Sequence, residues 1–159
     1  VAWSGTTVTT PAVGDEITAA QAGVIAADLN ALGGAWLSYT PTVTGAVTNP
    51  NLGTGGSTAG QYLQLGKLVI VHIQIGFGTG PTAGSGAYSV SLPVATAIAQ
   101  VGTANLLHSS AYYHYDAYLN GSIMQMLRGD ASAKIWGSAE PAAPAAGDAM
   151  YIFASYRTT

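Results

Sequence analysis

The sequence predicts a mainly β protein, an antiparallel jelly-roll sandwich preceded by an N-terminal arm and one short α-helix. Three observations carry that expectation. Short apolar runs rich in Val, Ile, Tyr and Thr recur through residues 36–156, separated by clusters of Gly, Ser, Asn and Pro. Only one stretch, beginning near residue 18, combines helical spacing with helix-end signals. Two of the longest apolar runs meet at Gly66-Lys67, a two-residue link with Gly first, which suits a type II′ hairpin turn. Many short strands with Gly-rich turns and no interleaved helices read as a sandwich, jelly-roll rather than immunoglobulin-like. The expected divisions are a docking arm over 1–15, a helix over 16–35 and the sandwich over 36–159.

Composition narrows the function classes. Only 7% of the residues are charged, against roughly 25% in an average soluble domain. With so few charges to keep copies apart, the chain is expected to bury much of its surface in an assembly. Four basic residues and a net charge of −3 make nucleic-acid binding an unfavourable reading, because few phosphates could be neutralised. No apolar run reaches the ~18 residues of a membrane-spanning helix, and no basic-then-apolar leader opens the chain, so a soluble, mature polypeptide is expected. The absence of cysteine excludes disulfides and thiolate metal sites.

The arm, Val1 to Gly14, holds Trp3, Val8 and Val13 among small polar residues and cannot form a core alone. These three are the expected virion-docking contacts, on the resemblance described below. Thr18-Ala19-Ala20-Gln21 has the form of a capping box, and Gly33-Gly34 ends the helix. Inside it Ala22, Ile25, Leu29 and Leu32 follow three-four-three spacing, a seam of about two heptads. Ile25, Leu29 and Leu32 are candidates for meeting symmetry mates; packing on the chain's own sandwich is the other possibility.

Trp36 to Val43 alternates as an opening strand, and residues 49–59 read as a loop. The Gly66-Lys67 turn sets Leu65 opposite Leu68, Leu63 opposite Ile70, Gln64 opposite Val69 and Tyr62 opposite Val71. Both faces of that hairpin are apolar, so one face belongs to the core and the other is expected between subunits, with Val69, Val71 and Ile73 as candidate interface residues. After a loop over 78–86, Tyr88, Val90 and Leu92 share a face. Residues 99–107 form another strand. Asn120-Gly121 predicts a second tight turn, pairing Tyr118 with Ile123, Ala117 with Met124 and Tyr115 with Met126. Residues 134–136 and 147–156 supply the last strands, the latter opened by a turn that Asp148 orders.

Catalytic chemistry is not signalled. His72, His108 and His114 lack metal-ligand spacing, and the seven acidic residues fall in no paired motif. No nucleophile elbow or phosphate loop is present. Arg128-Gly129-Asp130 is ordinary turn chemistry. The richest surface candidate is Tyr112, Tyr113, His114 and Tyr115, where rings could stack on sugars, though alternate tyrosines filling core and interface is the plainer alternative.

The run Asp28-Leu29-Asn30-Ala31-Leu32, Trp36-Leu37-Ser38-Tyr39-Thr40-Pro41, Asn49-Pro50-Asn51-Leu52-Gly53, Gly60-Gln61-Tyr62, Gly86 to Pro93 and Ala146-Gly147-Asp148 resembles a virion-surface domain of tailed bacteriophages. That domain recurs in minor tail proteins, fibres and capsid decoration proteins, particularly of actinobacteriophages, and its jelly-roll is similar to the trimeric sandwich of the complement C1q and tumour necrosis factor group. The resemblance covers about residues 16–156. It implies a homotrimer attached to the major capsid or tail proteins on the virion surface. It assigns no catalytic residue, cofactor or metal. The expected function is that of a non-enzymatic structural protein, a capsid decoration or head-fibre protein. The alternative is a tail-tip or tail-fibre domain that recognises host-surface glycans.

Overall fold

The computed structural model describes residues 18–32, 36–129 and 134–158, with residues 28–32 described in backbone only. Helix α1, Ala19–Leu32, begins where its capping box directs. The Gln21 amide donates to Thr18 Oγ1 at 3.2 Å, and the Thr18 amide donates to Gln21 Oε1 at 2.8 Å. These reciprocal bonds satisfy first-turn donors that have no helical acceptor. Ala22 and Ile25 are exposed on the single chain, while the side chains of Leu29 and Leu32 lie outside the described residues.

Ten strands follow: β1 Leu37–Tyr39, β2 Val43–Gly45, β3 Ser57–Leu65, β4 Leu68–Gly76, β5 Tyr88–Ser91, β6 Gln100–His108, β7 Ala111–Asn120, β8 Ile123–Arg128, β9 Lys134–Ile135 and β10 Ala149–Arg157. All pair antiparallel. Their order is β1-β3-β4-β10-β6-β7-β8-β5-β2, with β9 beside β8. The two ends of this path, β1 and β2, are separated in the chain only by residues 40–42. Tyr39 and Val43 therefore lie at most about 14 Å apart, whereas nine strands laid flat at ~4.8 Å spacing would put the edges nearly 40 Å apart. The sheet must curl around its core, and the protein is a jelly-roll-like antiparallel sandwich, as its sequence predicts.

The β3–β4 hairpin has the expected register, Leu65 opposite Leu68 and Tyr62 opposite Val71. Gly66 takes φ +58° at the first turn position, the sign a type II′ turn needs and an L side chain resists. The second hairpin corrects the expectation. Its turn is Gly121-Ser122, not Asn120-Gly121, so Leu119 faces Met124 and Ala117 faces Met126. Burial decides the shift, because this register sets Leu119 and Met124, both fully buried, against each other, whereas the Asn-Gly turn would have put Ser122 opposite Leu119. Backbone bonds from Leu92 to Ser122 O and from Thr96 to Gly121 O hold the turn in place. A third hairpin, unanticipated, joins β6 to β7 through Ser109 and Ser110, at φ +48° and +67°. Strand β3 also begins at Ser57, inside the stretch read as a loop.

The core lies inside the curl. Val69, Val71, Ile73, Ile75 and Phe77 from β4 and its exit meet Met150, Ile152, Ala154 and Tyr156 of β10, with Tyr88, Val90, Leu119, Met124 and Met126 opposite. Trp136 closes one end, edge-on to Tyr88 at 5.0 Å and to Phe77 at 6.4 Å between ring centroids. Val69, Val71 and Ile73 are thus not interface residues. They are buried within one chain, Val69 and Val71 completely and Ile73 all but 3%, which leaves almost nothing for another copy to cover. The edge strand β1 is clamped by Tyr39, whose ring lies over Gly60 so closely that a Cβ there would come within 2.2 Å of it.

Candidate functional site

Alternation puts every second residue of β4 and β10 on the outside of the curl. Register then lines those residues up across strands. Ser38, Gln61, His72, Phe153 and Thr103 stand opposite one another in turn, from β1 to β6. A parallel row runs Ala59, Gln74, Tyr151 and Asn105. Between them lies an open cleft of about 620 Å³, walled by Gln61, His72, Gln74, Asn105, Tyr151 and Phe153.

Aromatic rings are fixed across this face. Trp36, immediately before β1, meets His72 edge-on at 5.2 Å, and His72 meets Phe153 edge-on at 4.9 Å. Trp36, Tyr151 and Phe153 nevertheless remain 44%, 46% and 45% exposed. Edge-to-face packing of this kind contributes ~0.5 to 1.5 kcal/mol per pair beyond area burial and orders the rings. Neither row contains an Asp, Glu, Lys or Arg. The face carries instead amides, hydroxyls and rings.

Charge is gathered elsewhere, at the end of the sandwich where β6 turns into β7. His108 Nδ1 donates to Asp148 Oδ2 at 2.6 Å, and the amides of Ala145 and Ser109 donate to the same carboxylate at 2.8 and 3.2 Å. Asp148 orders the turn into β10, as expected, and ties the β6–β7 turn to it. Nearby, Arg128 donates to Glu140 at 2.7 Å, Lys134 Nζ lies 3.4 Å from the same carboxylate, and the guanidinium sits 5.5 Å from the Tyr113 ring centroid. Arg128 is therefore committed to the sandwich and not offered as part of an adhesive tripeptide.

The tyrosine-rich strand splits by parity. Tyr112 is 75% exposed and His114 is exposed, with its Nδ1 bonded to Asn105 Oδ1 at 3.1 Å. Tyr113 is half-buried beside His108 and Arg128. Tyr115 lies wholly in the core and cannot touch a glycan, which corrects its assignment. The docking candidates Trp3, Val8 and Val13 lie outside the described residues. Among the described residues, no three His, Asp or Glu side chains gather as a metal-binding set.

Several phenols are perturbed, all through burial. It pushes Tyr156 up to about 12, raises Tyr88, and, with the neighbouring Tyr156, lifts Tyr39 well above the usual phenol range. The Tyr156 hydroxyl donates to Val94 O at 2.9 Å, while the buried Tyr39 hydroxyl has no bonded partner among the described residues. These groups stay neutral at physiological pH and offer no general base.

Sequence reasoning did not assemble the outer face. Its signal was present: one parity of β4 and of β10 is wholly apolar or aromatic, while the other mixes His72, Gln74 and Ser155 with Leu68, Ile70, Tyr151 and Phe153. Compared with models of known protein families, with curated proteins and with solved structures, the chain shows no match to any.

Proposed function

We propose that this is a non-enzymatic structural protein on the exterior of a tailed-bacteriophage particle, a homotrimer that decorates the capsid or forms a head fibre. The observation that supports it most is the exposure of large apolar side chains, Trp36, Leu68, Val101, Tyr151 and Phe153 among them, on a chain with almost no charge. Strand alternation puts Leu68, Val101, Tyr151 and Phe153 on the outer side of the sheet with Trp36 packed on the outer His72, and apolar surface gathered on one side commonly marks contact with other protein. The placement on a virion comes from the sequence resemblance. Attachment runs through residues 1–14, because three arms on one trimer act at high effective concentration once one has docked. Sedimentation at micromolar concentration is expected to give one species near three times 16.0 kDa. Removing residues 1–14 is expected to leave that species intact and abolish its co-sedimentation with undecorated particles. Equal binding by the truncated protein would discard the docking arm, and a folded monomer would discard the homotrimer.

A second reading, a tail-tip or tail-fibre domain that recognises host-surface glycans, is favoured by the outward pair Tyr112 and His114. Tyr112→Ala is its test: glycan-array binding by the parent protein, lost in the variant, would establish it, and an array without signal would remove it.

A further inference from the structure

We infer that the outer face of β1, β3, β4 and β10, centred on Trp36, His72 and Phe153, is the surface on which copies of this chain bind one another. The inference rests on the self-assembly reading above and replaces Val69, Val71 and Ile73 with residues from the opposite side of the same sheet.

The chemistry of the face selects its occupant. Across the two rows there is no formal charge at neutral pH; among the described residues Arg157, paired with Leu68, and Lys67 beside it stand at one end of the face, and Asp116 stands opposite Thr103 on β7. A nucleic acid or an anionic membrane would meet no cluster of cations here. A strongly charged protein partner would likewise have its charges desolvated without compensation. Three copies gathered about a threefold axis each turn an equally neutral face toward it, so they approach without like-charge repulsion.

Size and order agree with this choice. With β6 at its far edge the face is roughly 20 Å wide at ~4.8 Å per strand, and the nine residues of β3, β4 and β10 run about 30 Å at ~3.3 Å rise, so with β1 only three residues long it covers at most about 600 Å² before side-chain relief is counted. That approaches the ~800 Å² per partner of a standard interface. The rings at its centre are already held by one another, through the contacts of Trp36 with His72 and of His72 with Phe153. Their burial therefore costs less rotamer entropy than burial of free side chains would. Central, preordered aromatics in a rim of amides and hydroxyls have the composition of an interface hot spot.

The helix extends the same contact. Only residues 33–35 separate the end of α1 from Trp36, so the helix ends within about 14 Å of the face. Copies that meet on the face place the carboxy-terminal ends of their helices within reach of one another. A helix of 14 residues is marginal when alone in water, and Ala22 and Ile25 are open to receive another.

The test uses the intact chain. Phe153→Asp places a charge at the centre of the face, whereas Val47→Asp places one at a loop position that is already 78% exposed. Phe153→Asp is expected to raise the concentration at which trimer falls to monomer by at least ~100-fold, with the β signature in circular dichroism unchanged, and Val47→Asp is expected to sediment as the parent does. A Phe153→Asp trimer as stable as the parent would overturn the inference and leave the homotrimer standing; a parent that is itself monomeric would overturn both. Should Phe153→Asp fail to fold, labelling decides. The chain has no cysteine of its own, so Gln74→Cys on the face and Val47→Cys off it can each be alkylated with a bulky maleimide. Labelling at least ~10-fold slower at Gln74→Cys in the assembled protein is expected, and equal rates would sink the proposal.

Discussion

Val71 and His72 are consecutive residues of β4 with opposite surroundings. The inner neighbour is sealed among aliphatic and aromatic side chains of its own chain; the outer one stands between two rings open to solvent. The same division runs along β10, where Ile152 faces in and Phe153 faces out. Both sides carry large apolar or aromatic residues, but the polar ones, His72 and Gln74 on β4 and Ser155 and Arg157 on β10, fall only on the outer side. The difference comes from closure: a curled sheet has one concave side to fill, and apolar residues on the convex side stay open to solvent in the single chain. An inner residue thus bears on whether the chain folds, and an outer one, on the proposal above, on its association.

The sharpest way to break this comparison is to put the same change on each side. Val71→Asp buries an unpaired carboxylate and is expected to cost more than about 4 kcal/mol, removing the cooperative thermal transition. His72→Asp is expected to keep that transition in the monomer and to weaken association. If both variants melt alike, the two sides are not distinct in the way described.

A smaller effect is expected at the clamp on β1. Gly60→Ala pushes a methyl group into the Tyr39 ring, and overpacking of that order costs ~1 to 3 kcal/mol. Chemical denaturation should show the loss. Because β1 carries Trp36 to the outer face, association should weaken as well. A variant with parent stability would mean that Tyr39 swings away freely.

Alkali probes the inner side without mutation. Up to the ordinary phenol value of 10.0, folded and unfolded chains both hold their tyrosine protons, and the stability is fully present. Above it the unfolded chain releases protons that Tyr39, Tyr88 and Tyr156 retain in the fold, so stability should fall by up to about 1.4 kcal/mol per pH unit for each wholly buried phenol. For Tyr156 the fall should end as pH passes about 12. Urea midpoints that stay constant from pH 9 to 11 would contradict this.

The smallest difference is between two hydroxyls. Tyr156→Phe loses the bond to Val94 and should cost about 1 kcal/mol, whereas Tyr39→Phe removes a buried hydroxyl without a partner and should be neutral or slightly stabilising. Equal losses in paired melts would show that Tyr39 has a bonded water.

Local chemistry was legible in the sequence wherever one short-range signal stood unopposed. The capping box at Thr18 and the Gly66-Lys67 turn are of that kind, and both are found where residue identity places them. At Asn120-Gly121 a good local signal met a stronger distant one, the joint burial of Leu119 and Met124, and the turn moved by one residue. The outer face was illegible for a different reason. Trp36, His72 and Phe153 lie far apart in the chain, and only the order β1-β3-β4-β10 makes them neighbours. Period-two patterning says that a strand has two sides, but choosing between them requires knowing how the sheet curves.

The short link from β1 to β2 has a further consequence. A chain with so few charges lacks the electrostatic protection that keeps most β proteins from stacking edge on edge into fibrils. Here each terminal strand of the path is only three residues long, and the curl brings both toward each other, so neither presents a long straight template for a strand of another molecule. Topology takes over the protective role that lysines and glutamates have elsewhere. Growth by added strands is discouraged, and what the sheet offers another molecule is its sides, where side chains and not backbone amides are displayed.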